Sequence, residues 1–259
     1  MILICCAFPA EVRPLRARMK VALPLDRQIA SGYSGRLAGS PAALISTGIG
    51  IRRALASSVR VLDSLRPINF VVIAGVAGAL RDNLAVGSVV VSENLMLRRD
   101  DDFQPEQVVA VPREPLAIAL RALQGSGIDY VAGPTMTSRR ALVTAADKRR
   151  AHHETGAISV DMESAVIALE AQRRGIPFVC IRTILDTAGE DVVGAALADE
   201  NGRVRPLAAA KAVITNPGLV AGAARLLCNL RLATNALAET LEIVVPEIAP
   251  SLTPETETH

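Results

Sequence analysis

Residues 159–191 read SVDMESAVIALEAQRRGIPFVCIRTILDTAGED, and this stretch decides the fold. Apolar residues at helical spacing accompany the acidic pair Asp161 and Glu163, which predicts that both carboxylates lie in the first turn of a helix. A Gly-Ile-Pro sequence ends that helix. The apolar run 178–184 then predicts a buried strand, and Asp186 follows at its exit, where α/β folds commonly bind ligands.

Strands and helices alternate along the rest of the chain in the same way. The predicted strands are 1–7, 32–37, 42–46, 70–73, 87–92 and 128–131, and the predicted helices are about 51–65, 114–123 and 208–241. This alternation predicts an α/β fold with a single-domain three-layer α/β/α sandwich around a mixed, twisted central sheet. We expect the domain to span 1–245 and the Pro-, Thr- and Glu-rich tail 246–259 to be disordered.

Composition excludes several classes of function. The net charge is +2 and aromatic residues make up 2% of the chain, which argues against a nucleic-acid surface. No apolar run approaches the roughly 18 residues of a membrane-spanning helix, and no basic segment precedes the apolar N-terminus, so we expect a cytoplasmic protein. The cysteines lack the spacing of a zinc site, and no metal is predicted.

Three carboxylates are the candidates for acid–base chemistry, because the chain has only three histidines and they show no partner pattern. Asp186 follows a buried strand, where partial burial would raise its pKa and let it hold a proton. Glu163 and Glu11 lie in first helical turns, where the helix dipole favours an ionised carboxylate. As alternatives, Asp186 could simply begin a turn, and both glutamates could complement the helix dipole without any catalytic role.

Two glycine-containing segments follow predicted strands. Thr47-Gly48-Ile49-Gly50 and Gly75-Val76-Ala77-Gly78 are predicted as short turns. Such turns expose backbone N–H groups and allow a ligand to approach the main chain closely. Each is also compatible with a tight turn that binds nothing.

The ordered set of short motifs resembles a known family. The motifs are Ala7-Phe8-Pro9-Ala10-Glu11-Val12, Ser46-Thr47-Gly48-Ile49-Gly50, Ala74-Gly75-Val76-Ala77-Gly78-Ala79-Leu80, Val86-Gly87-Ser88-Val89-Val90-Val91, Val160-Asp161-Met162-Glu163-Ser164-Ala165 and Ile181-Arg182-Thr183-Ile184-Leu185-Asp186. In this order they resemble the nucleoside phosphorylase and nucleosidase family, particularly its 5′-methylthioadenosine/S-adenosylhomocysteine nucleosidase branch. The likeness covers residues 1 to about 190.

The resemblance implies an enzyme that cleaves a purine N-glycosidic bond, with a role for each carboxylate. Asp186 would protonate the base at N7, Glu163 would bind ribose hydroxyls and stabilise the cationic sugar, and Glu11 would activate water. The implied substrate-binding residues are Met162, Asp161, Gly75, Val76, Ala77, Gly78, Thr47 and Gly48. The family implies no cofactor, inorganic phosphate as a possible co-substrate, a small nucleoside as the bound partner and a homo-oligomer.

Some positions depart from that branch. Leu185 and Val76 stand where the nucleosidases carry serine, and residues 138–141 stand where they place an aromatic against adenine. Residues 199–204 and 216–218 are similar to the hopanoid-associated phosphorylase branch, thought to remove adenine from adenosylhopane, which gives an alternative substrate. Water and phosphate both stay open as nucleophile, since Arg13, Arg52 and Arg53 could replace the usual phosphate ligand.

A non-catalytic nucleoside-binding module is the other alternative. A dinucleotide-binding oxidoreductase would need a third glycine and an acidic residue that the chain lacks.

Overall fold

The structure is a computed structural model that describes residues 1–65, 67–98, 105–192 and 217–249. Its strands are β1 (Ile2–Cys6), β2 (Met19–Pro24), β3 (Ser31–Leu37), β4 (Ser40–Ser46), β5 (Phe70–Ala79), β6 (Val89–Arg98), β7 (Pro105–Ala110), β8 (Tyr130–Thr137), β9 (Ser159–Asp161) and β10 (Phe178–Asp186). Its helices are α1 (Pro9–Arg18), α2 (Ile51–Ser64), α3 (Arg113–Leu123), α4 (Ala145–Thr155), α5 (Ser164–Arg173) and α6 (Pro217–Ile248).

The ten strands of the described residues belong to one mixed sheet, which confirms the predicted α/β class. Strand β1 lies between β4 and β5 and is parallel to both, and β5 is also parallel to β10. Strands β10, β6, β8, β9 and β5 pair in a closed circuit, so this half of the sheet curls into a small barrel. The open half ends in the antiparallel strands β4, β3 and β2.

The apolar runs explain the position of the central strands. Every residue of β1 and the first six residues of β5 are buried, as expected for parallel strands covered on both faces. Helix α6 packs against α1, α3 and strands β5 and β10, while α2 packs against α5. In the part of the chain that the structure describes, no helix is long and apolar enough to cross a membrane.

The predicted turn at Gly75-Val76-Ala77-Gly78 is wrong, because these residues continue strand β5. They stay extended because β10 pairs with them in parallel, with Arg182 opposite Gly75 and Asp186 opposite Gly78. The turn predicted at 47–50 is confirmed: Gly48 and Gly50 adopt φ values of 88° and 92°, which side-chain-bearing residues rarely adopt.

The start of α5 also differs from the prediction. Asp161 is the last residue of β9 rather than part of a helical turn, and Glu163 is the N-cap residue of α5. The reason is that β9 pairs with both β5 and β8, which keeps the chain extended up to Asp161. Helix α6 begins at Pro217 and continues past the predicted domain boundary at 245. Residues 199–204, 208–216 and 250–259 lie outside the described residues.

Candidate active site

The ends of four neighbouring strands bring the predicted site residues together. Glu11 follows β1, the 47–50 turn follows β4, the glycine-rich end of β5 lies between β1 and β10, and Asp186 ends β10. Glu163 reaches the same region from the loop after β9, where its Oε1 accepts a 2.6 Å hydrogen bond from the Gly50 N–H. This edge of the sheet is where parallel strands usually present their ligand-binding groups.

Glu11 is a buried carboxylate held by backbone amides. Its Oε2 accepts hydrogen bonds from the N–H groups of Ala7 at 2.6 Å and Phe8 at 3.3 Å, and its Oε1 accepts from Val76 at 2.7 Å. Burial raises the pKa of Glu11, while the Arg182 charge and these three amides act in the opposite direction. The side chain is therefore fixed in orientation, and burial outweighs the opposing contacts and raises its pKa.

Gly75 allows Glu11 and Arg182 to approach the same point of the main chain. A Cβ on Gly75 would collide with Arg182 Nη1 and would lie 2.7 Å from Glu11 Oε1. Arg182 is fully buried, and its Nη1 has no hydrogen-bond partner among the described residues. The glycine therefore serves close approach of two side chains, and not the turn that its sequence context predicts.

Asp161 is the counter-ion of Arg182. Its Oδ2 lies 2.9 Å from Arg182 Nε and also accepts from the Ser164 hydroxyl, and its Oδ1 accepts from the Thr137 hydroxyl at 2.8 Å and from the N–H groups of Glu163 and Ser164 at 3.1 Å. Burial disfavours the charge of Arg182, but Asp161 and other neighbours raise its pKa above the ordinary value. The structure thus places Asp161, predicted to bind substrate, in contacts that fix Arg182 and the start of α5.

Glu163 is buried beside this cluster. Burial is the largest cause that raises the pKa of Glu163 to about 8, and the charge of Asp161 adds to the shift. The Arg182 charge and the hydrogen bond from Gly50 lower that pKa but do not outweigh burial. The helix-dipole argument, which predicts an ionised Glu163, is therefore wrong for the free protein, because a desolvated carboxylate beside another acid favours the neutral form.

Asp186 lies at the end of β10 with 15% of its side chain exposed. Its carboxylate forms an ion pair with Lys148, a completely buried side chain from α4. Burial raises the pKa of Asp186, as the sequence predicts, whereas the charge and hydrogen bond of Lys148 lower it and Glu190 raises it. A Cβ on Gly78 would lie 3.1 Å from Asp186 Oδ2, so glycine at this position leaves room for the acid.

The remaining predicted binding residues border the same region. Val76, Gly78 and Met162 are partly exposed, whereas Ala77 is buried. Thr47 is buried and its hydroxyl donates to the Cys6 carbonyl at 3.1 Å, while the Gly48 N–H donates to the Ala7 carbonyl at 2.9 Å. Thr47 and Gly48 therefore fasten the turn after β4 to the end of β1.

Residues 1–215 match the family described as the phosphorylase superfamily. The chain belongs to this superfamily. The resemblance predicted from the short motifs is confirmed.

Named relatives of this superfamily member are nucleosidases. It is 32% identical over 203 residues to the 5′-methylthioadenosine/S-adenosylhomocysteine nucleosidase of Geobacillus kaustophilus, covering 71% of this chain and 83% of the relative. The corresponding nucleosidase of Neisseria meningitidis in complex with methylthio-immucillin-A superposes with a TM-score of 0.74 at 21% identity, over 94% of this chain and 97% of the other. Futalosine hydrolase of Helicobacter pylori superposes with a TM-score of 0.72 at 19% identity, over 95% and 97%. These two structures confirm the fold.

Two residues of this superfamily member were missed as site candidates from the sequence. Arg182 is a single cation in the apolar strand β10, and a buried charge in such a run requires a partner, which is a usable signal. Lys148 gives no such signal, because it stands between Asp147 and Arg149 in a stretch typical of a solvated helix face. The tertiary fold brings it to Asp186, because α4 is hydrogen-bonded to the end of β10 and the segment after it.

Proposed function

We propose that this chain hydrolyses the N-glycosidic bond of a 5′-substituted adenosine, with Asp186, Glu163 and Glu11 as its three reacting carboxylates. The coarser statement, that the chain is an enzyme that cleaves the N-glycosidic bond of a purine nucleoside, follows from its family and its nucleosidase relatives. The proposal adds the nucleophile, the class of 5′ substituent and the residue roles.

Asp186 protonates the leaving base. Cleavage of this bond leaves negative charge on the purine, and a proton on N7 neutralises that charge. Asp186 suits this role because burial favours its protonated form and because it lies at the partly exposed end of β10. Gly78 beside it leaves room for the Asp186 carboxyl, because a Cβ there would lie 3.1 Å from Oδ2.

Glu163 stabilises the sugar as positive charge develops. Its carboxylate lies at the N-terminus of α5 and is oriented by the Gly50 N–H, so it enters the reaction with one geometry. The ionised form is the one that stabilises an oxocarbenium-like sugar. The attraction between the carboxylate and the cationic sugar is strong in a site from which water is excluded. A bound substrate whose hydroxyls donate to Glu163 would favour that ionised form.

The proximity of Glu11 and Arg182 to the same point beside Gly75 is the observation that supports water as the nucleophile. Glu11 Oε1 and the unpartnered Arg182 Nη1 border the same point beside Gly75, which gives one acceptor and one donor for a small nucleophile. Water can donate to the carboxylate and accept from the guanidinium at once. A phosphate dianion would instead meet the repulsion of a buried carboxylate.

The basic residues suggested for phosphate binding give weaker support to phosphorolysis. Arg13 and Arg52 are exposed on their helices, and Arg53 packs beside Gly48. The adenosylhopane alternative rests partly on residues 199–204, which lie outside the described residues, and stays a prediction. A cytoplasmic location and a homo-oligomeric state also stay predictions.

Release of adenine from 5′-methylthioadenosine by the purified protein tests the proposal. We expect wild-type protein to release adenine and Asp186→Asn to bind the nucleoside but turn over at least about 100-fold more slowly, the usual scale of lost general-acid catalysis. Nucleoside binding without base release by the wild-type protein would favour the non-catalytic binding module. Near-wild-type turnover by Asp186→Asn would remove Asp186 from its role.

A further inference from the structure

Lys148 is the unusual charged group outside the three carboxylates. Its side chain is completely buried, and its Nζ donates to Asp186 Oδ2, to the Thr187 carbonyl at 2.8 Å and to the Glu190 carbonyl at 3.0 Å. Three acceptors match the three N–H donors of an ammonium group. Lys148 is therefore held as a cation with every proton engaged.

Two other hydrogen bonds also attach α4 to the segment after β10. The Ala145 N–H donates to Asp191 Oδ1 at 2.8 Å, and the Val192 N–H donates to the Val143 carbonyl at 2.7 Å. A protein with a well-packed apolar residue is often as stable as one with a buried ion pair, or more so, because desolvation of both charges opposes burial of the pair. A buried lysine on the candidate acid therefore calls for a chemical explanation.

We propose that Lys148 is a positioning residue for the general acid, which orients Asp186 through Oδ2 and stabilises the carboxylate that proton donation creates. This inference rests on the proposed role of Asp186. In the step, the Asp186 O–H bond breaks as the N7–H bond forms, and the electron pair of the glycosidic bond passes to the base. The negative charge left on Asp186 faces the Lys148 ammonium, whose own protons stay on Nζ.

The other charged groups around Asp186 do not replace Lys148. Glu190 lies in the loop after β10 and is paired with Arg225 of α6, and Asp191 accepts from the start of α4. Glu190 opposes ionisation of Asp186, whereas Lys148 lowers its pKa both by charge and by hydrogen bonding. Lys148 is therefore the neighbouring cation that favours the ionised carboxylate of Asp186.

The test compares Lys148→Met, Lys148→Gln and, as a matched control on the exposed face of the same helix, Arg149→Met. Adenine release requires protonated Asp186, so kcat/KM for this reaction falls as the pH rises through the pKa of Asp186. Removal of the Lys148 charge raises that pKa, and we expect the alkaline limb of both Lys148 variants to move up by at least about one pH unit, the lower end of a neighbouring charge's effect. Arg149→Met should keep the wild-type limb.

A second substrate separates positioning of the acid from general structural damage. The nitrophenolate of a 4-nitrophenyl riboside leaves without a proton, so its release should be nearly unaffected in Lys148→Met and Asp186→Asn, while adenine release falls in both. The double variant should be no slower than Asp186→Asn alone, because the cation acts through the acid. Thermal unfolding checks that each variant is folded.

The outcomes separate this inference from the proposed function. An alkaline limb that stays at the wild-type pH in folded Lys148→Met and Lys148→Gln, or an equal loss on both substrates, overturns the role of Lys148. Full adenine release by Asp186→Asn instead overturns the proposed function. An alkaline limb that moves to higher pH in the Lys148 variants, with loss of activity confined to adenine release, supports the inference.

Discussion

The backbone N–H of Val76 donates a 2.7 Å hydrogen bond to Oε1 of Glu11. This contact joins the main chain at the end of β5 to a side chain in the first turn of α1. The side chain at position 76 takes no part in it, so valine, where the resemblance implies a serine, leaves Glu11 in position. The departure at Val76 therefore bears on what the substrate contacts, and not on how Glu11 is held.

Gly75→Ala should disrupt this arrangement. The added methyl group would collide with Arg182 and lie 2.7 Å from Glu11 Oε1, and both groups are buried with little freedom to move. Overpacking of this kind costs about 1–3 kcal/mol, and we expect adenine release to fall with stability. Gly39→Asn, in the open hairpin turn between β3 and β4, is the control and should keep full activity. Wild-type activity in Gly75→Ala would show that the close approach of Glu11 and Arg182 beside position 75 is not needed for the reaction.

Glu163→Gln should lower kcat more than it raises KM. The substitution keeps size but removes the charge, and that charge matters most as the sugar becomes cationic. Steady-state kinetics with 5′-methylthioadenosine measure both constants. If only KM rises, Glu163 binds the ground state and has no electrostatic role in the reaction.

The same variant should change how stability depends on pH. The folded-state pKa of Glu163 is raised to about 8 from an ordinary value of 4.5, mainly by burial. A raised acid pKa favours folding below the unfolded-state value and loses that contribution as pH rises toward the folded-state value. Glu163→Gln should therefore gain Tm relative to wild type between pH 5 and pH 8. A constant difference in Tm across that range would show that burial does not perturb Glu163.

Arg182→Met should be strongly destabilising. It would leave the buried Asp161 without its counter-ion, and loss of one partner from a buried pair costs about 3–5 kcal/mol. Arg18→Met, which removes the partly exposed partner of Glu242, should cost about 1 kcal/mol or less. Denaturant unfolding of both variants gives the comparison. Similar losses for the two would contradict the assignment of Arg182 to a buried charge cluster.

The sequence predicts much of the fold because its strongest patterns are local. The apolar runs in β1, β5 and β10 and the paired glycines at 48 and 50 specify strands and a turn without help from distant residues. The extended course of Gly75–Gly78 depends on pairing with β10, and the extension of β9 up to Asp161 depends on pairing with β5 and β8. Local sequence patterns do not contain these pairings. Closure of the five-strand barrel cannot be predicted from local sequence patterns for the same reason.

The candidate site follows a similar division. Glu11, Glu163 and Asp186 are recognisable because each stands in a motif at the end of a strand. Lys148 is not recognisable, because its helix has no motif and its partner is 38 positions away along the chain. The sequence predicts the wrong direction for the Glu163 pKa shift, because it shows the position in the helix but not the desolvation.

The sugar product of the reaction tests the central claim most directly. Wild-type protein is incubated with 5′-methylthioadenosine in the presence and absence of phosphate, and the sugar is analysed together with adenine. The account predicts a free reducing sugar at the same rate in both conditions, and loss of adenine release in Glu11→Gln, because water needs a general base. A sugar 1-phosphate that forms only with phosphate, with Glu11→Gln still active, would contradict it.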